Sequence, residues 1–443
     1  MTLQKRWGIV IAIAGFLFIA YETLLPGDEV AAQNPQWCLV CGYVGGVSFL
    51  LNVILFIPLG FGIRLAGTAR SRTIATGFLT SLAIELLQFR IIPGRESGVS
   101  DLLSNSLGCL VGSALADVWR TWLVPEPPTA RMLARAGGLA WLGVISATAW
   151  ALQPSSPAAP LRAYWSPELM NFVPFHGHLL SASLSGVNAG DGEVPHSDSL
   201  RREQLAGRSM LRLAMIADRK TNGMAPVFGV WDEYWVGQPT MGVLLSQEGT
   251  SLTLWLRMRS SDLRLRNVIL RLNDVLTPSP SSAVASGHDD TVYVLGGRAD
   301  GHLSLSATVG TRRVSTTLPL RPTLGWNLLM PFDYPMGRNA TFLTALWVAG
   351  LLMPIGFWSA RGSVLHASDL PRPPGWRARP GLLAVLTLVI MMLVGLLFIP
   401  LVFRLPIAPA SDWLAAIAGV LIGWIAACWS ADKIIRPAVS VAA

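Results

Sequence analysis

Long apolar runs alternate along this chain with one long polar stretch. The apolar runs are about 17 to 25 residues long, enough to cross the hydrocarbon core of a bilayer as helices. Eight such runs cover residues 7–25, 47–66, 72–92, 100–119, 136–152, 340–360, 381–403 and 411–430. The pattern predicts an all-α membrane bundle of eight helices, five before the polar stretch and three after it.

The polar stretch between the two groups of spans, residues 153–338, opens with a segment rich in Pro, Ser and Ala. Short runs follow in which apolar and polar residues alternate, and Gly, Pro, Asn and Asp bound them. This pattern is typical of β-strands and not of helices. Eight strands are predicted, at 209–216, 225–230, 241–246, 251–259, 266–272, 291–296, 302–309 and 314–320. We therefore expect an all-β antiparallel sandwich between two membrane domains, with domains at 1–152, 153–338 and 339–443.

Composition and charge support this division. Of the 443 residues, 52% are hydrophobic and 14% are charged, which excludes an ordinary soluble protein. The net charge of +8 arises largely from five basic clusters beside the predicted spans, at 5–6, 64–72, 120–135, 361–379 and 433–436. With a cytoplasmic N-terminus, eight spans place all five clusters in the cytoplasm, as the positive-inside rule requires.

The basic clusters therefore indicate topology rather than nucleic-acid binding. We expect a multi-pass protein of a bacterial inner membrane, with the bilayer as its partner and no nucleic acid. Both termini are predicted to be cytoplasmic and residues 153–338 extracytoplasmic. In the last spans, Asp412 is expected only to begin a helix, with Ser411 as its cap.

Polar side chains interrupt the early spans, where ionisable groups are costly and usually functional. Glu85 and Gln88 share one helix face, and Asp101 and Asn105 share another. The candidate site comprises Asn52, Glu85, Gln88, Arg95, Asp101 and Asn105. If chemistry occurs there, Glu85 and Asp101 are the acid/base pair and Arg95 is an anion clamp. Alternatively, these side chains only hydrogen-bond the helices together, while small residues allow close packing.

The same residues carry a family resemblance. The sequence elements are Asn52-Val-Ile-Leu-Phe-Ile-Pro-Leu-Gly60, Glu85-Leu-Leu-Gln88, Arg95, Asp101-Leu-Leu-Ser-Asn105-Ser-Leu-Gly108 and Gly112. In this order, over roughly residues 10–120, they resemble the VanZ-like family of small bacterial membrane proteins. The family is named for a teicoplanin-resistance protein, so the resemblance implies a role in the cell envelope and in glycopeptide resistance, without a defined reaction.

The predicted sandwich has a resemblance of its own. Its strand rhythm, around residues 242–257 and 291–309, is similar to that of laminin-G and concanavalin A-like sandwiches. The resemblance implies carbohydrate binding rather than hydrolysis, because the closely spaced carboxylates of the glucanase members are missing. The candidate ligand-binding residues are Trp231, Asp232, Glu233, Tyr234 and Trp235. Their rings suit sugar stacking, but a sandwich core or a membrane-interface belt would use the same residue types.

Cys38 and Cys41 lie on the predicted extracytoplasmic side, where a disulfide is favoured over free thiols. The chain contains no P-loop, Rossmann fingerprint, Ser-His-Asp order or metalloprotease helix, so no cofactor and no metal site are predicted.

The function these features favour is recognition or handling of an envelope polysaccharide, a lipid-linked glycan or a cell-wall precursor. One alternative is a membrane-embedded enzyme that acts on a lipid-linked substrate through Glu85, Arg95 and Asp101. Another is a scaffold for an envelope assembly complex. The residues alone leave open whether a reaction is catalysed.

Overall fold

A computed structural model describes most of the chain. The described residues are 3–26, 37–40, 42–92, 98–158, 160–169, 172–218, 221–232, 240–276, 291–336, 339–363 and 381–439, with only the backbone at 335 and 431–439.

Helices dominate both ends of the chain. They are α1 (Leu3–Leu24), α2 (Gly45–Leu65), α3 (Arg70–Arg90), α4 (Val99–Asp117), α5 (Trp119–Leu123), α6 (Pro127–Ala151), α7 (Ser197–Leu205), α8 (Arg259–Asp262), α9 (Ala340–Ser363), α10 (Leu382–Leu393), α11 (Ile399–Val402) and α12 (Ala410–Val439). Helices α10 and α11 are joined by a π-helical turn into one span. Within the described residues, seven helical segments are long and apolar enough to cross a membrane, and α3 is the predicted span missing from this set.

The position of α3 follows from its neighbours. Helices α2 and α4 run side by side in the same direction, because Asn52 bonds Asp101 near their starts and Arg64 bonds Asp117 near their ends. The chain must return between them, and α3 makes that return. Its 21 residues rise about 31 Å, enough to span the hydrocarbon core. We infer that α3 is an eighth span. Its apolar signal is weak because the polar residues Thr73, Ser81, Glu85 and Gln88 are buried in the bundle, and because Arg70, Arg72 and Arg90 lie at its exposed ends.

The middle of the chain forms two facing β-sheets. The strands are β1 (Leu161–Trp165), β2 (His178–Leu184), β3 (Val187–Asn188), β4 (Gly192–Glu193), β5 (Ser209–Ile216), β6 (Met224–Asp232), β7 (Met241–Glu248), β8 (Ser251–Leu256), β9 (Ile269–Leu272), β10 (Thr291–Ala299), β11 (His302–Val309), β12 (Arg312–Pro319) and β13 (Pro335–Met336). One sheet has the order β13-β9-β8-β7-β6-β1-β4 and the other β12-β11-β10-β5-β2-β3. Pairing is antiparallel except between β13 and β9. The predicted membrane bundle with a β-sandwich is confirmed.

All eight predicted strands are present, but the polar stretch also contains five strands and a helix that the sequence did not predict. Strands β1 to β4 and β13 are additional, and all five have seven residues or fewer. The expectation of no helix was wrong, because α7 is a nine-residue helix. It buries only Leu200 and Gln204, one turn apart, so its periodicity is too short to recognise in sequence.

The core of the sandwich continues into the membrane helices. Trp141 and Ile145 of α6 belong to the same buried cluster as Leu245 and Leu305 of the sheets. Hydrogen bonds reinforce this junction: Arg298 Nη1 of β10 donates to the carbonyl of Leu152 at the end of α6, at 2.7 Å. The sandwich is thus packed on the helices over a shared core and does not hang from a free linker.

Candidate functional site

Close backbone contact between α2 and α4 builds the candidate site. A Cβ added to Gly60 would collide with the backbone of Cys109, and one added to Gly108 would collide with the carbonyl oxygen of Val53. Gly112 is equally close to the carbonyl of Ile57. Small residues permit this approach, as is usual where membrane helices pack tightly. The contact brings the polar side chains of α4 within reach of α2.

Two carboxylates lie at the start of α4. Asp101 Oδ1 accepts a hydrogen bond from Asn52 Nδ2 at 2.9 Å, which joins α4 to α2. Glu85 Oε2 accepts one from the N–H of Gly98 at 2.8 Å, which joins α3 to the same end of α4. The two carboxyl groups are close enough to interact electrostatically. Their position at a helix N-terminus is favourable, because the helix dipole is positive there.

Two amides complete the arrangement. Gln88 Nε2 donates to the backbone carbonyl of Thr23 on α1 at 2.9 Å, and Asn105 Nδ2 donates to Ser81 Oγ on α3 at the same distance. Both side chains are more than nine-tenths buried. The carbonyl of Thr23 can only accept, so the orientation of the Gln88 amide is determined by chemistry. Within the described residues, Gln88 Oε1 and Asn105 Oδ1 have no hydrogen-bond partner.

We call Asn52, Glu85, Gln88, Asp101 and Asn105 the polar cluster. Of the six residues predicted for this site, the structure brings these five together, and Arg95 lies outside the described residues. Sequence reasoning missed their partners Ser81, Thr23 and Gly98. Ser81 lies one helical turn before Glu85, so a polar stripe over residues 81, 85 and 88 was a signal that could have found it.

The sandwich lies directly beside the polar cluster. The N–H groups of Gly46 and Val47, at the start of α2, donate to the carbonyl of Arg264 at 3.1 and 3.4 Å. The ring of Tyr43 lies 5.9 Å from that of Trp255 on β8. On the other side of this segment, Ser100 Oγ of α4 donates to the carbonyl of Leu39 at 2.6 Å. Residues 37–40 and 42–47 therefore bridge the sandwich and the end of the bundle that holds the cluster.

The predicted sugar-binding residues have a mixed outcome. Trp231 is 6% exposed and packs with Leu244, Trp255 and Ile269 on the seven-stranded sheet. Asp232 Oδ1 accepts a hydrogen bond from the N–H of Thr240 at 2.7 Å and so closes the connection between β6 and β7. Glu233, Tyr234 and Trp235 lie outside the described residues. Sugar contact at 231–235 stays a prediction.

Sequence reasoning also missed a buried ion pair outside the cluster. Asp412 was expected only to begin a helix, and it does lie in the first turn of α12. Its carboxylate is also 1% exposed and accepts from Thr323 Oγ1 at 2.6 Å and from Arg321 Nη1 at 3.3 Å. No local pattern marks this contact, because the partners are about 90 residues apart.

The cysteines divide into two kinds. Cys38 is disulfide-bonded, whereas Cys109 and Cys428 are free. Cys41 lies outside the described residues, so its pairing with Cys38 stays a prediction. In the part of the chain that the structure describes, no group of three or more His, Cys, Asp or Glu side chains is placed to hold a metal ion.

Comparison with known protein families gives a match for the first part of the chain. The model of the VanZ/LLP1 family matches residues 10–120, which contain most of α1 and all of α2, α3 and α4. Neither the curated proteins nor the solved structures gave a match. The matched segment covers the whole polar cluster. Residues 10–120, which form the first group of membrane helices, are therefore similar to the VanZ/LLP1 family.

Proposed function

We propose that this protein binds a lipid-linked envelope glycan or cell-wall precursor at the polar cluster, with the sandwich contacting its sugar. The observation that carries the proposal is the buried Gln88 Oε1, an amide oxygen that has no partner among the described residues. A buried acceptor without a hydrogen bond costs about 1–3 kcal/mol. A ligand that donates to this oxygen would recover that free energy.

The chemistry of the cluster indicates what such a ligand must offer. The carboxylates of Glu85 and Asp101 and the free Gln88 Oε1 are all acceptors. A sugar hydroxyl or an amine therefore suits the cluster better than a bare anion. The phosphate of a lipid-linked sugar needs a cation. Arg95 is our candidate for that role, because it lies only three positions before Gly98 in the sequence.

The lectin-like role of the sandwich belongs to the same proposal. Asp232 and Thr240 close the β6–β7 connection at the end of the sheet where Gly242 packs on Pro157, six residues after the end of α6. Sugar contact there would come from Glu233, Tyr234 and Trp235, since Trp231 is packed within its cluster. We place this end outside the cytoplasm of a bacterial inner membrane, with both termini cytoplasmic.

An enzymatic role on the same substrate is the second candidate. It is favoured by the interaction between the Glu85 and Asp101 carboxylates, because coupled carboxylates can divide the roles of acid and base. One experiment separates the two roles, because a binding protein returns its ligand unchanged and an enzyme converts it.

The test uses the full chain in lipid nanodiscs and a radiolabelled polyprenyl-phosphate disaccharide. We expect saturable binding that Asp101→Asn weakens about tenfold or more, as expected for a hydrogen bond to a charged group. Asp117→Asn is the matched control, because Asp117 also joins α4 to α2 but at the far end. Chromatography of the recovered label then separates binder from enzyme. Absence of binding, or equal loss in both variants, contradicts the proposal.

A further inference from the structure

Helix α6 has an exposed basic face at the end of the bundle that is remote from the sandwich. A concavity of about 520 Å³ lies on this face, lined by Pro128, Arg131, Met132, Arg135, Ala136 and Leu139. These positions recur every three or four residues, so they share one side of the helix, and all six side chains are exposed. We call this set the basic face of α6.

The two arginines of the basic face lie at the depth of a membrane surface. Helix α6 has no charged residue after Arg135, and its 25 residues rise about 37 Å, more than a hydrocarbon core of about 30 Å. The first turn of α6 therefore extends beyond the core, and the long side chain of Arg135 can reach the surface from one turn inside it. Leu139 lies one turn deeper, among the acyl chains.

Neither arginine has a partner in the part of the chain that the structure describes. No hydrogen bond or ion pair there involves the guanidinium of Arg131 or Arg135, and no acidic residue lines the concavity. Other arginines near this end are paired: Arg64 bonds Asp117, and Arg361 bonds Ser430. The basic face thus presents two cations to the membrane surface with no counter-charge from the described protein.

The apolar residues of the basic face select the kind of anion. Met132 and Leu139 are 61% and 72% exposed, which suits an acyl chain and gives nothing to a free phosphate ion. A second copy of the chain, docked by two-fold symmetry, would bring the same arginines face to face. The connection 364–380 that follows α9 has three arginines and one aspartate, so its charge has the same sign. An anionic lipid complements both the charge and the apolar surface.

We propose that the basic face of α6 binds one anionic phospholipid of the bilayer. Arg131 and Arg135 donate to its phosphate, and one acyl chain lies along Met132 and Leu139. Hydrogen bonds from guanidinium to phosphate are charge-assisted and strong, and the acyl chain adds apolar contact. The inference does not depend on the proposed function, because the polar cluster lies at the opposite end of the bundle.

The test titrates the full chain in detergent with phosphatidylglycerol or phosphatidylcholine of identical acyl chains. Native mass spectrometry measures the dissociation constant of the first bound lipid. We expect phosphatidylglycerol to bind about tenfold more tightly, as expected for a hydrogen bond between charged groups. Inorganic phosphate should not displace it, because phosphate lacks an acyl chain. Equal affinities for the two lipids, or displacement by inorganic phosphate, would overturn the inference.

Paired variants locate the site. Arg131→Gln combined with Arg135→Gln should remove the preference for phosphatidylglycerol. Arg70→Gln combined with Arg72→Gln should retain it, because that pair removes the same charge from exposed positions at the same end of the bundle. Equal losses in the two double variants would show a general effect of net charge and would contradict a site on α6.

Two further variants keep the test decisive if the first pair is poorly folded. Ala136→Trp fills the concavity while both arginines remain, and it should weaken phosphatidylglycerol binding about fivefold with unchanged size-exclusion behaviour. Full binding in this variant would overturn the inference. Met132→Cys should give no disulfide-linked dimer in lipid nanodiscs. A dimer formed there would show that a second copy covers this face, and the lipid proposal would fail.

Discussion

Asp412 of α12 and Arg321 of the segment that leaves the sandwich form a buried ion pair, with Oδ2 and Nη1 3.3 Å apart. Thr323 donates a second hydrogen bond to the same carboxylate. The pair joins the extramembrane domain to the last membrane helix at a point where neither side chain has appreciable access to solvent. Together with the shared apolar core, it makes the sandwich and the C-terminal helices one packed structure.

Removing one partner of this pair should be costly. Asp412→Ala leaves Arg321 buried without its counter-ion, and such losses typically amount to about 3–5 kcal/mol. We expect a clear fall in the melting temperature of the detergent-solubilised protein. Glu203→Gln is the control, because Glu203 and Arg208 form an exposed pair on α7 and beside it. An unchanged melting temperature in Asp412→Ala would show that the pair contributes nothing to docking.

Glycine at position 108 should be indispensable for the contact between α2 and α4. Gly108→Ala places a methyl group against the backbone of Val53, and overpacking of this kind costs about 1–3 kcal/mol. We expect less monodisperse protein on size-exclusion chromatography and a lower melting temperature. Gly143→Ala in α6 is the matched control, because a Cβ there meets nothing within 4 Å. Equal behaviour of the two variants would argue against the close helix contact.

Trp231 should act first as a packing residue. It is buried against Tyr164, whose ring meets it edge-on at a centroid distance of 5.3 Å. Trp231→Ala should therefore cost about 3–5 kcal/mol, as for other buried aromatic residues. Trp231→Phe should recover part of the stability, and Trp37→Ala, at an exposed tryptophan, should change it little. Thermal unfolding monitored by tryptophan fluorescence measures all three, and a Trp231→Ala protein as stable as the wild type would refute the packing role.

The disulfide at Cys38 can be tested by counting the free thiols of the protein. The chain has four cysteines, and two of them, Cys109 and Cys428, are free. Alkylation of the denatured protein without reductant should therefore modify two thiols, and alkylation after reduction should modify four. Intact mass spectrometry reads both values. Four modified thiols before reduction would show that Cys38 is not oxidised in the isolated protein.

Much of the architecture could be inferred from local patterns. A run of about 20 apolar residues has few alternatives to a membrane helix, and alternating runs between turn residues have few alternatives to strands. For this reason the spans before and after the sandwich and strands β5 to β12 were all predicted. The unusual polar residues in the early spans could be identified in the same way, because their cost in a membrane makes them conspicuous.

Other features depend on partners that are distant in the sequence. The parallel packing of α2 and α4, with α3 returning between them, decides how the cluster is bonded. It brings Asn52 to Asp101, Glu85 to Gly98 and Gln88 to Thr23. The burial of Trp231 and the pairing of Arg321 with Asp412 have the same origin. Local sequence determines periodicity, and periodicity determines which face of an element is apolar. Which other element covers that face, and which polar atoms remain without partners, is decided only when the whole chain packs.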